Sequence, residues 1–285
     1  MARKSGEGRL TVTFSRSTAP RHDSGISDMA PVFLWATPRS VSTAFERVMK
    51  NSAELHALHE PFTDAYYFGP ERKSSRYGER DAQDFIADRE AIEASIRDRP
   101  PHSRAFVKEL AFQGEPYVSD HMLRTSHQLV ITRQPAAVYA SLSRLKPDFT
   151  EDEFGFTALR RLVDRLDNMG RNALVMDGDV FREDPTGTTS RVCRAISVTF
   201  DPDMLFWTEG RIRQWENGEE KSQAIWHGTL ESSHTILKPA GEQRDVDILP
   251  RHVHWYERAL GIYHRLTAGF ETSDAGHDKN SLSVS

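Results

Sequence analysis

Val32-Phe33-Leu34-Trp35, running into Ala36-Thr37-Pro38-Arg39-Ser40-Val41-Ser42-Thr43, is the stretch on which the fold turns. The first four residues are an apolar run of strand length. A loop of small hydroxyl side chains around one arginine follows, and a helical pattern runs from about residue 42 to residue 50. Thr43 and Glu46 have the spacing of a capping box, and Phe45, Val48 and Met49 supply an apolar face. In an open α/β sheet such a corner binds anions, because the first N–H groups of the helix lack partners and ligands collect at the carboxyl ends of the strands. The loop is not a Walker sequence: no Gly-Lys-Ser/Thr is present, so the lysine expected for a nucleoside triphosphate is missing. Alone, it reads either as a phosphate cradle or as a serine-rich helix cap with an exposed arginine.

Outward from this corner, short apolar runs at 54–58, 104–108, 128–132 and 173–176 alternate with helical patterns at 81–97, 135–145, 156–169 and 250–266. That alternation predicts a three-layer α/β fold, a mostly parallel sheet with helices on both faces. One domain over 31–270 is expected. Residues 1–30 read as a flexible extension in which Leu10 to Phe14 form at most a short strand, and 271–285 as a disordered tail.

Composition bounds the function. At 38% hydrophobic and 28% charged, the chain of 285 residues has ordinary soluble character. No apolar run approaches the ~18 residues of a membrane helix, and the N-terminus has no secretory apolar stretch. The single cysteine, Cys193, excludes an internal disulfide, which fits a cytoplasmic setting. A net charge of −5 argues against a nucleic-acid partner, so any bound anion is held by a local site.

A second motif follows the fourth strand: Arg133-Gln134-Pro135-Ala136-Ala137-Val138-Tyr139-Ala140-Ser141. Here the sequence resembles the sulfotransferases that use 3′-phosphoadenosine 5′-phosphosulfate (PAPS). Their 5′-phosphosulfate loop reads Pro-Lys/Arg-Ser-Gly-Ser/Thr-Thr, and Pro38 to Thr43 matches it except at Val41. Their 3′-phosphate motif reads Arg-x-Pro-x-x-x-x-Ser; Arg133 and Pro135 match it, and Ser141 stands one place beyond the motif's serine. A bacterial branch is also similar at Pro38 to Arg47, His59 to Phe62 and Asp201 to Trp207, so the likeness spans roughly 31 to 210. Valine resists positive φ, which predicts either a right-handed backbone at Val41 or an offset in the correspondence there.

The resemblance implies the P-loop kinase-like sulfotransferase fold, with PAPS as cofactor and adenosine 3′,5′-bisphosphate (PAP) as its product. It implies cofactor contacts from Pro38, Arg39, Ser40, Val41, Ser42, Thr43, Arg133 and Ser141. Catalytic roles fall to Glu60 as base, by likeness to bacterial and heparan-type relatives, and to Lys108 and Arg39 at the transferred sulfonyl group. Sulfonyl transfer needs a group to take the acceptor proton and cations for the charge on the leaving oxygens. His56 and His59 rival Glu60 as base. Phe112 and Gln113 stand where relatives often carry histidine, which favours Glu60, and Glu109 is expected on the strand face opposite Lys108. The pairs His56-x-x-His59 and His252-x-His254 lack the further ligands of a metal site, so no metal is expected.

Tyr66-Tyr67-Phe68 and the basic loop of Arg72, Lys73, Arg76 and Arg80 read as a cofactor lid or as a solvated loop. Trp207, Trp215 and Trp226 read as adenine-stacking or core residues. The expected partner is a small-molecule acceptor, a metabolite or secondary-metabolite hydroxyl or an amine, since no large basic surface suits a polyanionic glycan. A homo-oligomer is compatible with the sequence. The alternatives are a small-molecule kinase of related fold and a non-catalytic nucleotide-binding protein.

Overall fold

The computed structural model describes residues 26–81, 85–210, 230–238 and 246–268. Its strands are β1 (Val32–Ala36), β2 (Leu55–His59), β3 (Arg104–Leu110), β4 (His127–Thr132) and β5 (Leu174–Asp177). The helices are α1 (Ser42–Lys50), α2 (Thr63–Tyr67), α3 (Arg89–Arg97), α4 (Ala111–Gly114), α5 (Asp120–Thr125), α6 (Pro135–Leu145), α7 (Glu151–Phe154), α8 (Phe156–Asn168), α9 (Gly178–Glu183), α10 (Pro185–Ala195) and α11 (Val253–Thr267). Among the described residues no helix is long and apolar enough to cross a membrane.

All four strand pairings are parallel, in the order β2-β3-β1-β4-β5. A parallel sheet is covered on both faces, and its strands are near-continuous apolar runs. β1 is buried along its whole length. Alternation sends Phe33 and Trp35 into a core with α2, α3, α4 and α8, and Val32 and Leu34 into a second core with α1, α9 and α10. A third apolar cluster joins α6, α7 and α11. The expected three-layer fold with helices on both faces is therefore the observed one. The central strand β1 lies where the chain reverses direction across the sheet, and the register sets Ala36 beside Leu110 and Ile131. The loops leaving β1, β3 and β4 thus share one sheet edge.

Three differences from the sequence reading bear on the site and its flank. β2 lies one residue later than expected and includes His59. Among the described residues of the 81–97 pattern, the helix runs over Arg89–Arg97, where Asp88 caps it by accepting from the N–H of Ala91. No capping box forms at Thr43: the N-cap of α1 is Val41, without a side-chain cap, and Glu46 turns instead to His59. Leu10 to Phe14 and the tail at 271–285 lie outside the described residues.

Candidate functional site

The loop after β1 is built from its own hydroxyls. Ser40 Oγ donates to the Thr37 carbonyl at 2.7 Å, and the Thr37 N–H reaches the Ile131 carbonyl of β4 at 3.3 Å. Thr37, Pro38, Ser40 and Ser42 are buried, with Arg39, Val41 and Thr43 partly so. Arg39 and Val41 both have positive φ, 61° and 72°. Of the two outcomes expected at Val41, the right-handed backbone is not the observed one: the valine takes the left-handed conformation. Two glycines permit this close packing. A Cβ on Gly178 would lie 2.3 Å from the Ser40 carbonyl, and one on Gly155, itself at φ 85°, would lie 2.5 Å from Pro38 Cδ.

The second motif meets the first directly. Arg39 Nε donates to Ser141 Oγ at 2.9 Å, across 102 residues of sequence. Pro135 opens α6 at its first position, as expected. Arg133, at the end of β4, pairs through Nε with Asp179 Oδ1 at 2.9 Å. The Arg39 guanidinium is pushed down to about 10, first by burial and then by repulsion from Arg144 and Arg133. Cations therefore converge where β1 and β4 end, the arrangement that a multiply charged anion relieves.

On the other side of the loop, Lys108 is buried and its ammonium pairs with Glu60 Oε1. Glu60 follows β2 with φ 46°, and its N–H donates to the Lys108 carbonyl at 2.7 Å. Of the five non-glycine residues with positive φ among the described residues, three are Arg39, Val41 and Glu60. Strained backbone of this kind, costing about 1–3 kcal/mol per residue, concentrates at functional sites. Gln113, oriented to satisfy its neighbours, donates to Glu60 Oε2, Thr63 Oγ1 and Glu109 Oε1 at 3.2–3.3 Å.

Glu109 and the Glu46–His59 pair carry weight that the sequence reading missed. β3 continues through Leu110, so Glu109 does face away from Lys108, yet its fully buried carboxylate accepts from the N–H groups of Phe62 at 2.9 Å and Leu110 at 2.8 Å. Burial raises its pKa well above the usual carboxylate range, and the charge of Glu60 adds to this. His59 Nδ1 meets Glu46 Oε2 at 2.7 Å, while its Nε2 stands 3.6 Å from Glu60 Oε1. Nothing local marks this pair, since the partners come from α1 and β2. A cavity of about 270 Å³ runs beside it between α1 and β2, lined by Thr43, Glu46, Arg47, Lys50, Ala57, Leu58 and His59.

Other candidates sit elsewhere. Arg76 pairs with Asp148 at 2.5 Å and Glu153 at 2.8 Å, Arg80 with Asp64 at 3.2 Å, and Arg72 with Glu79 at 3.7 Å, so acids of this chain engage those cations of the basic loop. Tyr66 and Tyr67 are buried in the core. Trp207 packs against the α1 side of the core with the Arg47 guanidinium 5.0 Å above its ring. Trp215 and Trp226 lie outside the described residues.

Comparison with known proteins identifies the family. A family model described as a sulfotransferase domain matches residues 30–263. Among curated proteins, the chain is 22% identical over 241 residues to branched-chain-amino-acid aminotransferase-like protein 2 of Arabidopsis thaliana, covering 84% of this chain and 41% of that protein. It is 24% identical over 245 residues to the related protein 1 of the same plant, covering 85% and 42%. The chain thus spans about two fifths of the length of these curated relatives. Among solved structures, a sulfotransferase domain from the curacin biosynthetic pathway shares 14% identity over 81% of this chain and 96% of that one, with a TM-score of 0.47. Mouse sulfotransferase SULT7A1, complexed with PAP, shares 12% identity over 89% of each chain, with a TM-score of 0.45. The chain belongs to the sulfotransferase domain family.

Proposed function

We propose that this sulfotransferase-family chain moves the sulfonyl group of PAPS onto the hydroxyl or amine of a small-molecule acceptor. The observation that carries this reading is the 2.9 Å contact between Arg39 and Ser141, which joins a 5′-phosphosulfate loop and a 3′-phosphate motif into one cationic site. A nucleotide with a single phosphate cluster would not need both.

The residues fit the donor. The N–H groups at the start of α1, with the hydroxyls of Ser42 and Thr43 and the Arg39 guanidinium, suit the phosphosulfate end. Arg133 and Ser141 suit the 3′-phosphate. The donor supplies an activated sulfonyl group. The acceptor heteroatom bonds to sulfur as the sulfur–oxygen bond to the 5′-phosphate breaks, PAP leaves, and the acceptor proton passes to Glu60. Lys108 and Arg39 offset the negative charge on the transferring and leaving oxygens. Lys108 also holds Glu60 at the end of β2, and Gln113 steadies the other carboxylate oxygen.

Replacing Arg133 by Ala is expected to weaken PAP binding by about 10- to 100-fold, the loss of one charge-assisted contact worth ~1.5–3 kcal/mol. Binding of adenosine 5′-monophosphate, which has no 3′-phosphate, is expected to stay the same. Calorimetric titration of both nucleotides checks this, and equal losses for the two would place Arg133 outside the 3′-phosphate site.

A further inference from the structure

The sheet edge between β4 and β5 carries more charge than the two motifs account for. Arg133 leaves the end of β4 and Arg182 stands on α9 beyond the end of β5, while Arg39 and Arg144 complete the cationic set. The carboxylate that contacts Arg133 and Arg182 is Asp179. Asp179, in the first turn of α9, bonds Arg133 Nε at 2.9 Å and lies 3.8 Å from Arg182 Nη1. Arg182 is pinned from behind, with Nε donating to the Leu237 carbonyl at 2.8 Å and Nη2 to the Lys238 carbonyl at 2.6 Å. Arg182 is therefore held independently of Asp179, and the carboxylate is the member able to leave. The Asp179 side chain is 26% exposed, so its charge can turn to water without being buried unpaired. Asp177 caps α9 through the N–H groups of Asp179 and Val180, so the helix start does not depend on the Asp179 side chain.

We propose that Asp179 is a built-in counter-anion of the 3′-phosphate site, taking in the free protein the arginine contacts that the 3′-phosphate takes when the nucleotide binds. This rests on the reading of Arg133 as a 3′-phosphate residue. The carboxylate keeps Arg133 and Arg182 oriented while the site is free of nucleotide. It competes with the incoming phosphate, so PAP binds less tightly than four arginines alone would dictate, and product release is eased. The groups facing Asp179 are Arg133 from β4, Arg182 from its own helix and Asp177 at the helix cap.

The test is calorimetric titration of the full-length chain and its Asp179→Asn variant with PAP and with adenosine 5′-monophosphate. Asn keeps the shape and removes the charge. The variant is expected to bind PAP on the order of tenfold tighter, the size of removing one like-charge contact at a partly exposed site, with monophosphate affinity unchanged and a steeper salt dependence for PAP. Asp179→Ala, with an unchanged melting temperature as the folding control, is expected to tighten PAP binding as well. If both variants bind PAP more weakly or equally, Asp179 only braces Arg133 and the proposal fails. Equal tightening for both nucleotides overturns it too, since the effect would then not belong to the 3′-phosphate. A wild-type chain that does not bind PAP removes the underlying reading together with the proposal, an outcome separate from the other two.

Discussion

Replacing Glu60 by Gln is expected to reduce turnover by roughly 10²- to 10⁴-fold, the usual contribution of a general base, while PAP affinity is kept or rises slightly. The amide preserves the shape of the side chain but cannot take a proton. It also frees Lys108 from its anionic partner, leaving that ammonium more charge to offer the donor. The measurement is PAP release from PAPS in the presence of an acceptor, beside a nucleotide titration. A Gln variant with wild-type turnover would move the base elsewhere. His59 is then the alternative, because Glu46 fixes its Nδ1 and its Nε2 looks toward the same corner. A loss of both turnover and PAP affinity would instead mark Glu60 as a structural brace of the loop.

Replacing Lys108 by Ala is expected to affect both stability and chemistry. Lys108 is 2% exposed, and its ammonium balances Glu60 with Glu109 close behind. Removing it takes from Glu60, a partly buried carboxylate, its cation while the Thr63 and Gln113 contacts stay, an expected loss of about 1–3 kcal/mol. Urea unfolding checks that figure. Lys108→Met refines it, since methionine refills most of the volume of the stem and so isolates the loss of the charge. Turnover of any folded fraction is expected to fall with both variants, because the transferring group loses its buried cation. A Met variant with wild-type stability and turnover would show that Glu60 and Glu109 are held by Gln113 and the backbone N–H groups alone.

Much of this architecture was legible because it rests on local patterns. The five apolar runs became the five strands within a residue or two at each end, since a parallel sheet buries both faces and its strands are dominated by apolar residues. Pro135 and the spacing of Val138 and Leu142 defined α6 to the residue. What the sequence concealed depends on long-range partners. Glu46 has the spacing of a capping residue, but His59 of the edge strand is a stronger partner than the helix terminus, and Val41 in its left-handed conformation takes the N-cap position. The loop around Val41 packs closely on Gly178 and Gly155, contributed by segments more than 100 residues away. Asp179 belongs to no motif and acquires meaning only because β5 lies beside β4. Glu109 could be assigned to a strand face from its position alone. The buried hydrogen bond that it accepts from Phe62 could not be read there, because Phe62 comes from the segment after β2, 47 residues away.

The central claim is that the Thr37–Thr43 loop and the Arg133–Ser141 segment form two halves of one site for a nucleotide phosphorylated at both the 3′ and 5′ positions. Thermal unfolding of the full-length chain with PAP, and separately with ATP plus magnesium, tests it most directly. A ligand at a hundredfold excess over its dissociation constant stabilises the folded state by about 2.7 kcal/mol, which raises the melting temperature by several degrees in a chain of this size. The account predicts that rise with PAP and none with ATP plus magnesium. Stabilisation by ATP plus magnesium, with no response to PAP, would contradict it and favour a kinase.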